Sequence, residues 1–88
     1  MTFNVYMLLS KHKNKIYTYV GFTNNLKKRL IKHNASKGAK YTRGKKWIII
    51  YKKKYLTKSI AMKEEYKLKK NAKLRKLFKN EYLNYNHA

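Results

Sequence analysis

A formal net charge of +21 is the feature that most constrains how this 88-residue chain can fold. The charge comes from 24 lysines and arginines set against three glutamates. A chain of this length buries only about 60 to 65% of its unfolded surface, so it forms one small hydrophobic core at most. Apolar residues still make up an ordinary 43% of the chain, and they occur in periodic segments. We therefore expect a single folded domain in spite of the charge.

The cations are spread along the chain from Lys11 to Lys79 and are not confined to a tail. Each phosphate that such a surface neutralises releases counterions, so this charge pattern is typical of nucleic-acid binders. A ribosomal or membrane-surface protein is the alternative. A membrane-surface role is disfavoured because no helical segment sets a clean cationic face opposite one rich in Trp or Phe.

The sequence also disfavours a disulfide framework and a membrane segment. Cysteine is absent, so neither a disulfide nor a thiolate metal site can form. No apolar run approaches the roughly 18 to 20 residues of a membrane span, and the segment MTFNVYMLLS lacks the basic region and cleavage site of a signal peptide. We expect an intracellular protein without a membrane partner, cytoplasmic, or nuclear if it comes from a eukaryote or its virus.

Two segments near the N-terminus predict an antiparallel hairpin. Phe3 to Leu9 is rich in β-branched and aromatic residues, and Lys15 to Gly21 follows it after a short polar loop. In the second segment Tyr17 and Tyr19 recur with a period of two, which places both rings on one face of the sheet. The segment WIIIYKKKY at residues 47 to 55 predicts a third strand, and its apolar first half makes it the expected central strand.

Three helices are predicted beside this sheet. The first begins after an N-cap at Thr23 or Asn24, and the second covers residues 58 to 70 after a cap at Thr57 or Ser59. A third amphipathic helix follows to about residue 83, and residues 84 to 88 are expected to fray. The predicted fold is α/β: a single domain over residues 1 to 83, with a small three-stranded antiparallel sheet flanked by helices.

Helical spacing groups several polar side chains. Arg29 and His33 lie one turn apart, along the edge of the apolar stripe of the first helix, and could point together into a cleft. Glu65 lies within the apolar stripe of the second helix, whereas Glu64 is about 100° away and should face solvent or pair with Lys67. Carboxylates are rarely buried unless they are paired or bound to metal. Glu65 is therefore a candidate metal ligand.

The order of these parts resembles the GIY-YIG nuclease superfamily. NVY at residues 4 to 6 stands where the first family tripeptide belongs, with Asn4 in place of its glycine, and YVG at residues 19 to 21 stands for the second. NLKKRLIKHN carries an Arg and a His at the family's four-residue separation, and SIAMKEEYKLKK matches the pattern Ala-x-x-x-Glu-x-x-Ile/Leu-Lys. The loop GAKYTRG is similar to that of small single-domain members related to the Slx-type structure-specific nucleases. The resemblance covers residues 4 to 69.

The resemblance implies a DNA endonuclease that hydrolyses phosphodiester bonds with a divalent metal ion. It implies that Tyr6 is the general base, with Tyr19 beside it and His33 supporting it. Arg29 suits the scissile phosphate, and Glu65 is the natural ligand for a single Mg²⁺ or Mn²⁺, because Mg²⁺ keeps several waters and needs few carboxylates. A free tyrosine has a pKa of about 10, so neighbouring cations would have to lower the pKa of Tyr6.

Without the resemblance, each of these residues has a structural explanation. Strand tyrosines are commonly packing residues, a histidine beside an apolar stripe is commonly structural, and an arginine in a basic chain commonly contacts phosphate. A non-catalytic RNA or DNA binder with the same fold is therefore the alternative function.

The loop after the first helix is expected to bind nucleic acid, and its basic and hydroxyl side chains are the ones suited to the phosphate backbone: Lys40, Tyr41, Thr42, Arg43, Lys45 and Lys46. Tyr41 and Trp47 are expected to be available for stacking on an unpaired base. No module for reading base sequence is evident, so we expect recognition of branched or single-stranded DNA, in repair or recombination, with a protein partner or a homodimer as further expectations.

Overall fold

Three strands and three helices make up the fold of the computed structural model, which describes residues 1 to 86. In chain order these elements are β1 (Phe3–His12), β2 (Lys15–Thr23), α1 (Leu26–Asn34), β3 (Ile48–Tyr55), α2 (Lys58–Lys70) and α3 (Ala72–Asn86). The predicted α/β architecture with a three-stranded antiparallel sheet is confirmed. No helix within residues 1 to 86 combines the length and the apolar character needed to cross a bilayer.

The sheet has the strand order β2-β1-β3, and β1 pairs antiparallel with both neighbours. Lys13 and Asn14 join β1 to β2 with φ angles of 50° and 63°, as expected for a tight turn whose twist matches that of the strands. The prediction that β3 is the central strand is wrong. β1 is buried continuously from Val5 to Ser10, whereas β3 carries three exposed lysines, which only an edge strand can keep solvated.

Each face of the sheet packs against different helices. On one face Val5, Met7 and Val20 contact Ala61 and Leu68 of α2. The ring of Phe78 in α3 stacks on Tyr51 of β3, with centroids 4.2 Å apart. On the other face Tyr6, Leu8 and Trp47 form a second cluster with α1, which the partly buried Leu26 and Leu30 complete. Tyr17 and Tyr19 also join this second cluster, so the predicted placement of both rings on one face is confirmed.

The helix boundaries differ from the prediction at two points. The N-cap of α1 is Asn25, whose side chain accepts a hydrogen bond from the Lys28 amide at 3.1 Å, while Thr23 instead accepts from the Asn25 amide. The helix therefore starts later than predicted. Thr57 caps α2 as one of the two predicted alternatives.

At its C-terminal end the chain stays helical further than predicted. α3 continues to Asn86 and so includes residues 84 to 86, which were expected to fray. The preceding Tyr82 and Leu83 are half-buried. Residues 87 and 88, the rest of the expected tail, lie outside the described residues.

Candidate active site

The predicted catalytic side chains meet where α1 crosses the sheet face that bears Tyr6. The Tyr6 hydroxyl lies 2.9 Å from Nε2 of His33, and Nε of Arg29 donates to the same hydroxyl at 3.4 Å. Tyr19, on the neighbouring strand, has its ring centroid 6.4 Å from that of Tyr6 and 5.0 Å from that of His33. Tyr19 from the neighbouring strand and two residues one helical turn apart, Arg29 and His33, thus surround the Tyr6 phenol.

Two glycines make room for this convergence. Gly21 lies opposite Tyr6 in the β1–β2 register, and a Cβ at Gly21 would stand 2.6 Å from the Tyr6 hydroxyl oxygen. Gly38 lies against the other end of the site, where a Cβ would stand 2.8 Å from Cγ of His33. Any larger residue at either position would have to displace a ring. The family tripeptide pointed to Gly21, whereas Gly38 had only the ordinary appearance of a loop glycine.

The loop between α1 and β3 closes over His33. Thr42 and Trp47 are both buried, and the indole Nε1 donates to the Thr42 carbonyl oxygen at 2.9 Å. Asn34, which the sequence did not single out, clamps the Trp47 backbone: its Oδ1 accepts from the amide at 2.6 Å, and its Nδ2 donates to the carbonyl at 3.2 Å. The expectations that Thr42 contacts phosphate and that Trp47 stacks on a base are corrected, because both side chains lie inside the protein.

Burial shifts the pKa values of Tyr6 and His33 in opposite directions. It raises the pKa of Tyr6 to about 12, although the hydrogen bond from Arg29 acts in the lowering direction, and the charges of Tyr19 and Glu65 add to the rise. The expectation that nearby cations lower the pKa of Tyr6 is thus wrong for the protein without bound DNA or metal. The rise in pKa that burial causes is larger than the decrease that Arg29 causes. Burial, followed by the charge of Arg29, lowers the pKa of His33 to about 4. At neutral pH the phenol is protonated and the imidazole is neutral.

The two adjacent glutamates of α2 have different surroundings. The Glu65 side chain is 18% exposed, its carboxylate lies 3.5 Å from Nζ of Lys69, and its charge acts on the pKa of Tyr6. The Glu64 side chain is 32% exposed and lies 3.6 Å from Nζ of Lys67, the predicted pairing. Burial raises the pKa of Tyr51 and Tyr55 on β3, and the charge of Glu64 adds to both shifts. Of the two, Glu65 is the carboxylate whose charge acts on Tyr6.

The donors available for a metal ion are few. Within residues 1 to 86 no group of three or more His, Cys, Asp or Glu side chains could enclose an ion. Glu65 therefore fits a hard cation that takes most of its ligands from water and phosphate, as Mg²⁺ does, and it does not fit an ion that needs a protein cage. Its partner Lys69 is half-exposed, so the ion pair that an arriving cation would displace is weak.

The remaining basic loop residues lie at the surface beside this site. Lys40, Tyr41, Arg43 and Lys46 are exposed. The Tyr41 ring, with its residue 51% exposed, lies nearly parallel to the Tyr19 ring, with centroids 6.3 Å apart. Nζ of Lys45 lies 5.4 Å from the Tyr41 ring centroid. The rings of Tyr6, Tyr19 and Tyr41 therefore form a continuous aromatic path from the protein interior to the solvent.

The lowered pKa of His33 predicts a pH-dependent stability. In the unfolded chain this imidazole takes up a proton near pH 6.5, whereas in the folded protein it resists protonation down to about pH 4. Between these values the unfolded state binds more protons, so stability is greatest above pH 6.5 and falls with decreasing pH. We expect His33 to contribute a loss of about 2 kcal/mol between pH 7 and pH 5.

Urea unfolding at several pH values measures this loss. His33→Gln should remove it, and His12→Gln, which changes a histidine outside the site, should keep it. An unchanged pH dependence in the His33 variant would show that His33 is not held neutral by burial.

The family model of the GIY-YIG catalytic domain matches residues 2 to 79. A UPF0213 protein of Oceanobacillus iheyensis is 50% identical over 60 residues, which cover 67% of this chain and 70% of the relative. A UPF0213 protein of Staphylococcus haemolyticus is 39% identical over 74 residues, covering 83% of this chain and 87% of the relative. No solved structure gives a significant match.

The matched region contains Tyr6, Tyr19, Arg29, His33 and Glu65, the residues that the fold brings together. It also covers every strand, α1, α2 and the first half of α3. The chain belongs to the GIY-YIG family, whose catalytic domain is of the nuclease type and generally uses a divalent metal ion.

Proposed function

We propose that the protein is a divalent-metal-dependent DNA endonuclease that acts on DNA containing unpaired regions. The observation that carries the proposal is the Tyr6 hydroxyl, which is buried and is shared between His33 at 2.9 Å and Arg29 at 3.4 Å. The Tyr6 hydroxyl has a proton acceptor, His33, on one side and a cation, Arg29, on the other. The charge of the Glu65 carboxylate also acts on its pKa.

The protonation states suggest how a water molecule is activated. Because Tyr6 keeps its proton at neutral pH, it cannot act as a preformed phenolate. Tyr6 instead accepts a proton from the attacking water while its own proton passes to His33 Nε2, which is neutral and within hydrogen-bonding distance. The high pKa of the phenol then matters little, because no free phenolate accumulates.

Arg29 is suited to bind the scissile phosphate. Its Nε is engaged with Tyr6, and Tyr19 also bonds to the guanidinium, but the five N–H donors of the fork suffice to bind phosphoryl oxygens as well. Glu65 would hold the Mg²⁺ or Mn²⁺ ion, which when bound supplies positive charge at the phosphoryl and leaving oxygens. A lysine in place of Arg29 would supply the charge without the planar pair of donors.

The surface around the site supports recognition of unpaired DNA. A pocket of about 280 Å³ lies over the free edge of β2 and is lined by Tyr19 and Tyr41 together with Lys69 and Arg75, along with Thr18 and Val20. Aromatic rings bind bases by stacking, which requires a base that is not already stacked in a duplex, and the cations suit the adjoining phosphates. Such DNA arises in repair and recombination, and we place the activity there.

Plasmid nicking by the purified protein tests the proposal. We expect conversion of supercoiled to nicked DNA in Mg²⁺ and none after addition of a chelator. Tight DNA binding with no cleavage in either Mg²⁺ or Mn²⁺ would favour the non-catalytic binder instead.

The two glutamates give the most specific prediction for the metal site. Glu65→Gln should abolish Mg²⁺-dependent cleavage and leave DNA affinity intact or slightly higher, because it removes a negative charge near the phosphate. Glu64→Gln is the matched control and should stay active, because its carboxylate pairs with Lys67 away from Tyr6. Single-turnover cleavage, with a parallel binding assay in Ca²⁺, measures both quantities. Full activity of the Glu65 variant would refute the assignment of the metal ligand.

Tyr41 predicts a preference for unpaired bases. Tyr41→Leu keeps an apolar side chain but loses the stacking surface, so affinity for gapped or single-stranded DNA should fall about 5-fold or more, with little change for blunt duplex. Tyr66→Leu is the matched control, because Tyr66 is 61% exposed and has Lys70 over its ring but lies on the outer side of α2. Fluorescence anisotropy with both DNA forms gives the comparison. Equal losses for gapped and duplex DNA would contradict a stacking role.

A further inference from the structure

The Thr42 hydroxyl makes three hydrogen bonds inside the protein, where the residue is 0% exposed. The oxygen accepts from the Ala39 amide at 3.2 Å and donates to the Ala39 carbonyl at 3.0 Å. It also lies 2.9 Å from Nδ1 of His33. A hydroxyl has one donor and two acceptor positions, so these three contacts use all of them.

The direction of each bond follows from the partners. The Ala39 carbonyl oxygen can only accept, so its 3.0 Å bond with the Thr42 hydroxyl uses the single hydroxyl proton. With the hydroxyl proton on the Ala39 carbonyl, the contact with Nδ1 is favourable only if Nδ1 carries the hydrogen. A neutral imidazole with its hydrogen on Nδ1 has a lone pair on Nε2.

The Nδ1–H tautomer also sets the direction of the hydrogen bond on the Nε2 side of the imidazole ring. Nε2 faces the Tyr6 hydroxyl at 2.9 Å and accepts its hydrogen. The Tyr6 oxygen is then free to accept from Nε of Arg29, the bond that the geometry shows. The hydrogen bonds therefore run in one direction, from Arg29 through Tyr6 to His33 and on to Thr42 and the Ala39 carbonyl.

We propose that Thr42 is a positioning residue, whose buried hydroxyl holds His33 in the Nδ1–H tautomer so that Nε2 takes the proton of Tyr6. The catalytic consequence rests on the proposed nuclease function, whereas the tautomer itself does not. In the opposite tautomer Nε2–H would donate to the Tyr6 oxygen, and His33 could accept no proton from the phenol.

The proton transfers balance along this path. As the water oxygen bonds to phosphorus, one water O–H bond breaks and its proton binds the Tyr6 oxygen, while the Tyr6 O–H bond breaks and that proton binds Nε2. The leaving oxygen departs with the electron pair of the broken P–O bond and takes a proton from solvent. The resulting imidazolium has both N–H groups bonded, to Thr42 and to Tyr6, until it returns its proton to solvent.

The loop holds Thr42 in place without any ligand. Its backbone amide donates to the Ala39 carbonyl at 3.2 Å, and its own carbonyl accepts from the Trp47 indole at 2.9 Å. Gly38 lies against the His33 ring, where no Cβ fits. The tautomer is therefore set in the free protein, before DNA or metal binds.

Imidazole ¹⁵N chemical shifts of the free protein test the tautomer, with His33→Gln identifying the His33 signals. We expect wild-type His33 to show a protonated Nδ1 and an unprotonated Nε2. Thr42→Val has the same shape without the hydroxyl, and it should lose this pattern and slow single-turnover cleavage about 10-fold or more. Thr42→Ser, which restores a hydroxyl, should recover both.

Trp47→Phe controls for a loosened loop, because it removes the indole bond to the Thr42 backbone and leaves the hydroxyl in place. It should keep the tautomer and cleave within about 3-fold of the wild type.

A protonated Nε2 in the wild type, or a Thr42→Val protein that keeps both the Nδ1–H pattern and its rate, would overturn the proposal. Equal slowing by Thr42→Val and Trp47→Phe with no change of tautomer would show a role limited to holding the loop. Absence of cleavage in the wild type would refute the nuclease function while the shifts still decide the tautomer.

Discussion

The buried hydrogen bond between the Tyr6 hydroxyl and His33 is the contact on which the site depends. Burial moves the pKa values of the two groups in opposite directions, to about 12 and about 4, so both stay neutral and the bond links a phenol to an unprotonated imidazole. Gly21 and Gly38 leave the space that the two rings occupy. The neutrality of this pair also lets it lie inside a small core without the penalty of a buried charge.

Charge is distributed around this neutral centre in a way that fits both folding and function. The lysines of β3 lie on an exposed sheet edge, and the two glutamates of α2 pair with lysines on the same helix. The net charge of +21 is thus kept in solvent, where it attracts a polyanion and is screened by salt. Arg29 is a partly buried cation, and it donates to the Tyr6 hydroxyl on which the proposed chemistry depends.

Periodicity in the sequence predicted those parts of the site that depend on local geometry. The alternation in β2 placed Tyr19 correctly, and the four-residue spacing brought Arg29 and His33 to one phenol. The loop could not be predicted in this way, because the burial of Thr42 and Trp47 depends on Asn34 and on the ring of His33, contacts that no spacing rule describes. The order of the strands was missed for a similar reason, since an apolar half-strand looks the same at the edge and in the centre.

Removal of the shared hydroxyl is the most direct test of the account. Tyr6→Phe keeps the ring that packs beside Leu8 and Trp47 and deletes only the oxygen between His33 and Arg29. Single-turnover cleavage in Mg²⁺ should fall by about 10² or more. DNA affinity should stay close to that of the wild type, and stability should fall by about 1 to 3 kcal/mol, because the buried His33 Nε2 loses its hydrogen-bond partner. A Tyr6→Phe protein that cleaves DNA at the wild-type rate would contradict the account, because proton transfer would then not pass through Tyr6.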